Sequence, residues 1–561
     1  MALILSQFDK LPYNIQYPAH AIPRRKMTHR NDEWNATFSG DYLWSNVNFG
    51  EAVTETMTPL TWSVIRFTLK DWQFLPGYAT VGNIGGTPYL NISIFATLFR
   101  AMRRSQADLL RYMEGTLYMK LPAEMEIQLI RLSPRTRLAG LFTAAQVQRK
   151  QRRGIGQLES YLAETPDWFQ TTQARLDEIY QPADLLTLWQ RQIAPHVQKG
   201  VWCVLGSATH SADYTLQLRR DLSQNVGPED ANRLIANLSE RNDLLASLGL
   251  VAGLAKLACG EISRESYLSQ YGHRGPHEFE LSVPRPAEDP RWLDQELTHF
   301  NEHPIDIDDL LAKQQAAFAN AWERLQTQYP RQAAAFQKRI HESARRARLR
   351  EQARSAYIRD RWLIRLFALR AADLLGYPGD EVFFLSLAEI LAGLGGEQPA
   401  PGLIATRKET YRQFKALPPY PSVIRGRFDP LQWAADPQRR SDIFDAHETP
   451  KINTSNLITG SPGSAGQIVG IVRVAFTPEE GQQLRPGEIL VTVQTDVSWT
   501  LLFPRAGAVI TDVGAPLSHA AIVARELGIP AVVGCGDATA RLKTGDRVRV
   551  DGGRGTVEIF V

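Results

Sequence analysis

The sequence is poor in cysteine, in net charge and in long apolar runs, and each shortage excludes a class of protein. Among 561 residues there are three cysteines, Cys203, Cys259 and Cys535, which lie far apart and form no Cys-x-x-Cys pair. The chain therefore predicts neither a disulfide framework nor a zinc knuckle. A reducing cytoplasm is the expected compartment.

The charge balance and the apolar runs argue against two kinds of partner. Lys+Arg 63 against Asp+Glu 60 leaves a net charge of +3, too small to make nucleic acid or an anionic membrane an obligatory partner. The longest apolar stretch, 244–255, is shorter than the roughly 20 residues that span a bilayer. The N-terminus also lacks the features of a signal peptide. We expect no nucleic acid and no membrane partner.

The length and composition of the chain indicate several ordinary globular domains. A length of 561 residues exceeds what one hydrophobic core usually organises, and 43% hydrophobic with 22% charged residues is typical of folded chains. We predict a mostly α domain over 1–435 with a mixed strand and loop segment at about 31–95, a linker at 436–456, and a C-terminal β/α domain at 457–561.

Local patterns support this division. The helical patterns of the first domain are at Asp108–Met119, Pro228–Leu257, Ile307–Gln326 and Arg331–Leu375, the last as one or two long helices. In the last domain, short β-rich runs alternate with Gly/Pro turns and one helix at Ser518–Leu527. Its last two strands meet at the glycine cluster Asp551–Gly555, which is suited to a hairpin.

His519 stands at the N-terminus of that predicted helix. A strand ending at Thr511 leads through Gly514 and Pro516 to Ser518, a good N-cap residue, so His519 falls in the first helical turn. Backbone N–H groups are unpaired there and the helix dipole is positive, which favours an anion. Because histidine can act as a covalent nucleophile, the position suits a phosphohistidine.

The residues around His519 resemble the swivelling phosphohistidine domain of the PEP-utilising enzymes, which include phosphoenolpyruvate synthase, pyruvate phosphate dikinase and rifampin phosphotransferase. The likeness covers about 457–561 and includes Ser-His-Ala-Ala followed by Ala-Arg-Glu-Leu-Gly-Ile-Pro-Ala-Val; Ala515 replaces a glycine that is usual in the family. The resemblance implies a swivelling β/β/α domain. In it, His519 takes a phosphoryl group at one active site and delivers it at another, moving on the linker.

Motifs in the first domain resemble the substrate-binding region of rifampin phosphotransferase and its relatives. They are Asn31–Asn35, Gly40–Glu51, Met57–Ser63, Val81–Asn91 and Tyr271–Glu278. The resemblance implies a helical domain that holds a small-molecule acceptor while the swivelling histidine docks against it. His273 and His277 lie four residues apart, but Gly275 and Pro276 break the helix that would place them on one face, so no metal site is expected.

The candidate phosphate-binding residues are Ser518, Arg354 and Arg359. Residues 331–370 carry 11 arginines and one lysine against three acidic residues, a charge of +9 that leaves −6 for the rest of the chain. An arginine on the apolar face of a helix needs an anion. The functional interpretation of Arg354 and Arg359 is a clamp for the phosphohistidine, and the structural one is a salt bridge to a neighbouring helix. For Arg525 we favour a structural pairing with Glu526 or the sheet.

The expected cofactors follow from the family's usual domain set. Full-length members carry an ATP-grasp domain, which we do not recognise in this sequence. ATP and Mg are therefore expected on a separate ATP-grasp subunit, with no cofactor and no metal bound by this chain. The predicted function is a phosphotransferase component in which His519 carries a phosphoryl group from ATP to a small-molecule acceptor. Two alternatives stay open: a phosphorylation-activated ligase or condensing enzyme, and a non-catalytic phosphohistidine-dependent regulatory or binding protein.

Overall fold

The computed structural model describes residues 33–50, 52–116, 127–236, 246–302, 307–437, 439–440, 442–448, 455–516 and 518–560. They form a mainly helical region up to residue 448 and a β-rich region from residue 455, so the predicted multidomain architecture is confirmed. Parts of two predicted helices (117–119 and 237–245) and of the predicted linker (438, 441 and 449–454) lie outside the described residues.

Helices of six or more residues are numbered in chain order. They are α1 Pro59–Thr68, α2 Ile92–Ala101, α3 Gln106–Thr116, α4 Pro134–Gly156, α5 Leu158–Glu178, α6 Pro182–Leu188, α7 Ala194–Leu234, α8 Ala246–Ala258, α9 Arg264–Tyr271, α10 Trp292–Glu302, α11 Ile307–Gln328, α12 Pro330–Leu375, α13 Leu387–Leu394, α14 Leu403–Lys415, α15 Pro430–Ala435 and α16 His519–Leu527. None of the described helices is both long enough and apolar enough to cross a membrane.

The helical region is organised around α12, a single helix of 46 residues that packs along α7 and α5. Its buried residues include Leu363, Ile364 and Phe367, which join the largest apolar core of the chain. At its C-terminal end, Gly376 adopts a left-handed conformation with a φ of 76°. A helix of this length can present one end of its buried face to the core and the other to a partner domain.

The predicted strand and loop segment at about 31–95 also contains a helix. The Thr58 hydroxyl caps α1 by accepting from the Thr61 N–H, and Pro59 is the first helical residue. Pro59 is compatible with this helix, because a proline at the first position lacks only an N–H that would be unpaired there anyway. The segment's strands are β1 Leu43–Ser45, β2 Val81–Ile84 and β3 Thr87–Asn91.

A five-stranded sheet joins this early segment to residues after 420. Its order is β2-β3-β1-β4-β5, where β4 is Val423–Arg425 and β5 is Ile443–Asp445. Trp44 of β1 pairs with Ile424 of β4, and β4 runs parallel to β5. Because β5 lies inside the stretch predicted as linker, the ordered part of the first region extends at least to Asp445.

The second region is an eight-stranded mixed sheet with α16 on one face. Its order is β6-β13-β12-β8-β9-β10-β11-β7. The strands are β6 Leu457–Thr459, β7 Ser461–Ser464, β8 Gln467–Val474, β9 Ile489–Thr492, β10 Ala508–Thr511, β11 Ala531–Val533, β12 Arg547–Asp551 and β13 Thr556–Phe560. Alternate residues face opposite cores: Leu490 and Val509 pack with α16, whereas Val491 and Ile510 pack on the other face.

The two regions touch beside α16. Gly528 ends α16 with a φ of 69°, and a Cβ placed there would lie 1.6 Å from the side-chain amide of Gln314 on α11. Nearby, the Arg219 guanidinium on α7 donates to the Pro462 carbonyl at 3.3 Å. Glycine at 528 therefore serves both the helix end and the close approach of the helical region.

We expect Ile510→Ala to lower the free energy of unfolding of the β-rich region by about 2–5 kcal/mol, because Ile510 is fully buried in the middle of the sheet. Ile471→Ala is the matched control. Its side chain is 43% exposed, so the change should stay within about 0.5 kcal/mol. Chemical denaturation followed by intrinsic fluorescence measures both values. Equal losses in the two variants would contradict the assignment of the core.

Candidate active site

His519 is the first residue of α16, as its sequence position predicts. Ser518 is in an extended conformation, with a ψ of 162°, and its hydroxyl accepts from the Ala521 N–H at 3.5 Å. Gly514 supplies the turn before the helix with a φ of 146°, whereas Ala515 is not among the residues with positive φ. The alanine that replaces the family's glycine therefore fits this backbone without strain.

The His519 ring is held by two threonines of its own region. Thr495 Oγ1 lies 3.0 Å from Nδ1, and Thr500 Oγ1 lies 3.4 Å from Nε2. The Phe503 ring stands edge-on to the imidazole, with 6.0 Å between ring centroids. The shorter contact fixes Nδ1 more firmly, and with the proton on Nδ1 the Nε2 lone pair faces the Thr500 hydroxyl.

The ring is buried where the β-rich region meets the arginine-rich part of α12. His519 is 8% exposed. Burial, followed by the positive charges of Arg354, Arg274 and Arg350, lowers its pKa to about 3, with Glu351 partly opposing them. The imidazole is therefore neutral at physiological pH, which is the form that can attack phosphorus.

The arginines that face His519 are tied to two carboxylates. Glu278 accepts from Arg274 Nε at 2.7 Å and from Arg354 Nη2 at 3.1 Å. Glu351 accepts from Arg350 at 2.7 Å, and charges that include Arg350 and Arg354 lower its pKa to about 2 despite burial. The two carboxylates hold the guanidinium groups in place. Because three arginines pair with only two carboxylates, the group Arg274, Arg350 and Arg354 keeps a net positive charge, and we call it the positive wall.

The candidate residues from the sequence are only partly brought together. Arg354 belongs to the wall that faces His519, whereas Arg359, five residues later on α12, donates to the Ser269 and Gln270 carbonyls at 3.4 and 3.2 Å. Those carbonyls belong to the last turn of α9, where a positive charge is favourable. Arg359 thus bonds to backbone carbonyls of a neighbouring helix, whereas Arg354 forms a salt bridge with Glu278 at 3.1 Å. The Ser518 hydroxyl serves as a helix cap.

Arg525 pairs with the backbone of its own region. Its Nε donates to the Gly463 carbonyl of β7 at 2.8 Å, and its Nη2 donates to the Pro516 carbonyl. Burial lowers its pKa to about 9. This matches the expected structural role against the sheet, and Arg525 holds the loop before α16 against β7.

His273 and His277 point to different partners, as the helix break between them predicts. His273 Nε2 lies 2.8 Å from Ser355 Oγ on α12, and His277 Nδ1 lies 2.6 Å from Glu55 Oε1. Within the described residues, no group of three or more His, Cys, Asp and Glu side chains is arranged to hold a metal ion.

Sequence reasoning missed the threonines and two of the three arginines of the positive wall. Thr495 and Thr500 lie in a loop without a distinctive pattern, and the sequence carries no signal for them. Arg274 lies in the Tyr271–Glu278 motif, which was considered for resemblance and for metal binding but not for its arginine. Arg350 was counted in the +9 segment without a role. A search for cationic residues near the docking histidine needs the tertiary structure.

Two segments of the chain match known domain families. Residues 484–555 match the mobile domain of PEP-utilising enzymes, and residues 185–351 match the fourth domain of rifampicin phosphotransferase. The first segment contains His519, Thr495 and Thr500, and the second contains Arg274 and Arg350. The recognition drawn from the motif around His519 is therefore confirmed.

Similar curated proteins include enzymes of this group. The chain is 30% identical over 308 residues to a prodigiosin synthesizing transferase of Serratia marcescens, covering 52% of this chain and 33% of that protein. It is 36% identical over 181 residues to a rifampicin phosphotransferase of Streptomyces sviceus, covering 32% and 19%. It is 53% identical over 102 residues to a phosphoenolpyruvate synthase of Aeropyrum pernix, covering 18% and 12%. The chain thus spans about a third of the first of these relatives and less of the others.

We expect acid to separate the two regions. Burial and the charges of Arg354, Arg274 and Arg350 lower the pKa of His519 from its ordinary 6.5 to about 3. Separation removes the part of this lowering that the helical region causes, so the separated form binds a proton more readily than the docked form does. From pH 7 to pH 5 this shifts the equilibrium toward the separated form by up to about 25-fold. Small-angle X-ray scattering at the two pH values measures the proportion of molecules in which the two regions are separated.

The control for this titration is His519→Gln. Asp496 and Glu526 are buried carboxyls with raised pKa values, and their protonation favours the docked form as the pH falls. The contribution of His519 is therefore the difference between wild type and the variant. A wild-type profile identical to that of His519→Gln would contradict the prediction.

Proposed function

We propose that this relative of the PEP-utilising enzymes is a phosphotransferase component, in which His519 carries a phosphoryl group from ATP to a small-molecule acceptor held by the helical region. The observation that carries the proposal is a buried, neutral His519 ring on which the charges of Arg274, Arg350 and Arg354 act. Neutral imidazole is the nucleophile that the first transfer needs, and a cationic wall is what the second transfer needs.

The two transfers use the same nitrogen. In the first, the Nε2 lone pair attacks the donor's phosphorus, the N–P bond forms, and the P–O bond to the leaving group breaks with its electrons on oxygen. In the second, an acceptor oxygen attacks phosphorus, the N–P bond breaks, and the electron pair returns to Nε2. The acceptor's proton leaves as its oxygen bonds to phosphorus, and the imidazole regains its starting form.

The arginine wall supports the second transfer. A phosphoryl group on Nε2 brings negative charge into a buried site, where Arg354, Arg274 and Arg350 would neutralise it. In phosphoryl transfer the protein contributes mainly positioning and electrostatic stabilisation. The docked arrangement therefore corresponds to the acceptor half of the reaction.

The donor half requires the β-rich region to leave this position. His519 is too buried to meet a second protein while docked, so the contacts near Gly528 and Pro462 must break. The predicted linker spans 436–456, and because β5 belongs to the first region, the part of it that follows Asp445 is our proposed hinge. We propose that ATP and Mg are bound by an ATP-grasp subunit.

One comparison favours a second candidate function. The relative from Serratia marcescens is named a prodigiosin synthesizing transferase, and its match covers 52% of this chain. In this alternative the phosphoryl group activates the acceptor for condensation and then leaves as phosphate. A product without phosphorus, formed together with inorganic phosphate, distinguishes it from the phosphotransferase.

Incubation with radiolabelled ATP and the ATP-grasp subunit should give a phosphoprotein that is stable in alkali and labile in acid. His519→Ala should abolish the label, because it removes the nucleophile. His447→Ala is the control and should label as wild type, since His447 is half exposed and pairs with Asp41 far from the site. Label retained in His519→Ala would refute the proposal.

Arg354→Met should slow transfer from His519 to the acceptor by about 10²–10³-fold, as expected for the loss of one group that stabilises the transition state. Labelling of His519 should be nearly unchanged, because Arg354 belongs to the acceptor side. Arg359→Met on the same helix is the control, and we expect its transfer rate to stay within a few-fold of wild type. Single-turnover decay of the phosphoprotein measures both rates, and equal rates in the two variants would contradict the assignment.

A further inference from the structure

Two arginines beside the docking wall have no carboxylate partner. Arg285 is 1% exposed and Arg361 is fully buried. Within the described part of the chain, no Asp or Glu oxygen forms an ion pair with either guanidinium. Nε, Nη1 and Nη2 of Arg285 find no hydrogen-bond acceptor among the same residues. Arg361 interacts with the Tyr357 hydroxyl and lies 4.9 Å from the Phe279 ring centroid, so its partners are uncharged. Buried guanidinium groups in this condition are unusual because desolvation is costly.

Other arginines account for the local packing. The loop between α9 and α10 lies along α12, where Arg365 donates to the Leu281 carbonyl at 2.8 Å and pairs with Glu288 at 3.1 Å. Nη2 of Arg361 donates a hydrogen bond to the Phe279 carbonyl. The Arg285 side chain makes no such bond within the described residues, so the fold does not explain why an arginine is buried there.

The nearby carboxylates are already engaged. Glu278 pairs with Arg274 and Arg354, and Glu351 pairs with Arg350. Glu288 pairs with Arg365, and Glu280 accepts from the Thr58 N–H and hydroxyl at 3.0 and 2.8 Å. Six arginines (274, 285, 350, 354, 361 and 365) thus meet four glutamates, which leaves an excess of two positive charges.

This excess positive charge lowers the pKa values of neighbouring groups. Burial and the charge of Arg361 lower the pKa of Arg285 to about 10. The pKa of His273 lies well below its ordinary value because of burial and the charges of Arg359, Arg274 and Arg285. Arg274, whose Nη1 also lacks an acceptor among the described residues, is one of the charges that act on His519. Arg274 therefore links the charges of this group with those that act on His519.

We propose that Arg285 and Arg361, together with Nη1 of Arg274, bind an oxyanion, a carboxylate or a phosphate, that belongs to the acceptor molecule. The forked N–H groups of arginine match such an oxyanion, and a bound one would satisfy both the charge and the donors. Arg285 and Arg361 are distinct from the residues proposed to receive the phosphoryl group of His519, and Arg274 is shared between the two sets. Its assignment to the acceptor rests on the proposed function, and it makes the substrate an anionic small molecule.

Thermal shift titration of the unphosphorylated chain tests the site without any phosphoryl transfer. Inorganic phosphate and sodium benzoate are the two probes, with sodium chloride at equal ionic strength as the reference. We expect the Tm to rise with at least one probe and not with chloride, because the anion binds only the folded protein. The stronger probe identifies the oxyanion as phosphate or carboxylate. A wild-type protein that responds to neither probe would overturn the proposal.

Arg285→Met should weaken the response by about ten- to a hundredfold in apparent Kd, as expected for lost hydrogen bonds to a charged group. Without anion, its Tm should equal or exceed that of wild type, since an unpaired buried charge is removed. Arg291→Met, six residues later, is the matched control. Arg291 is 86% exposed, so its variant should respond as wild type does.

Two further variants separate this site from its neighbours. His519→Ala and Arg354→Met should keep the anion response, so a failure of the phosphotransferase proposal would leave this result intact. Arg361→Lys keeps the charge but loses the fork, and we expect an intermediate affinity. An Arg285→Met protein that binds the probe as tightly as wild type, or that is unstable or unfolded without anion, would show that Arg285 has a structural role and overturn the proposal.

Discussion

The burial of a neutral histidine against a cationic helix is the constraint on which the rest of the structure depends. His519 needs a free lone pair to accept a phosphoryl group, and the arginines beside it suppress its protonation. The same arginines attract the ring once it carries negative charge. In the proposed cycle this arrangement disfavours a protonated ring and stabilises a phosphorylated one, because the arginines repel positive charge and attract negative charge at His519.

This constraint explains the length of α12. Toward its C-terminal end, apolar residues such as Ile364 and Phe367 anchor the helix in the main core. In its middle, Arg350 and Arg354 project to the β-rich region, and Glu278 and Glu351 hold them in place. A shorter helix could supply the charges, but burying them at a domain interface requires a support that does not move when the partner domain leaves.

Much of this arrangement could be predicted from the sequence where the signal is local. The strand, turn and helix around His519 follow from caps and glycines, and the +9 segment follows from counting. Pairings between distant segments could not be predicted in this way. Strand β5 lies in a polar, proline-punctuated stretch and forms by pairing with β4. Arg354 and Arg359 lie on the same helix, and they differ because the C-terminal end of α9 lies beside Arg359. Thr495 contacts His519 across 24 residues of chain through a loop that has no periodic pattern.

In the proposed cycle, the charge on His519 decides whether docking or separation of the two regions is favoured. The unphosphorylated ring gains little from the wall electrostatically, since it is neutral and its protonation is opposed there. A phosphorylated ring carries negative charge, so its attraction to Arg274, Arg350 and Arg354 favours docking after the donor has acted. Transfer to the acceptor removes that attraction, and the β-rich region is released to return. The phosphoryl group would therefore be both the group that is transferred and the cause of docking. No other structural element would be needed to make the two half-reactions occur in order.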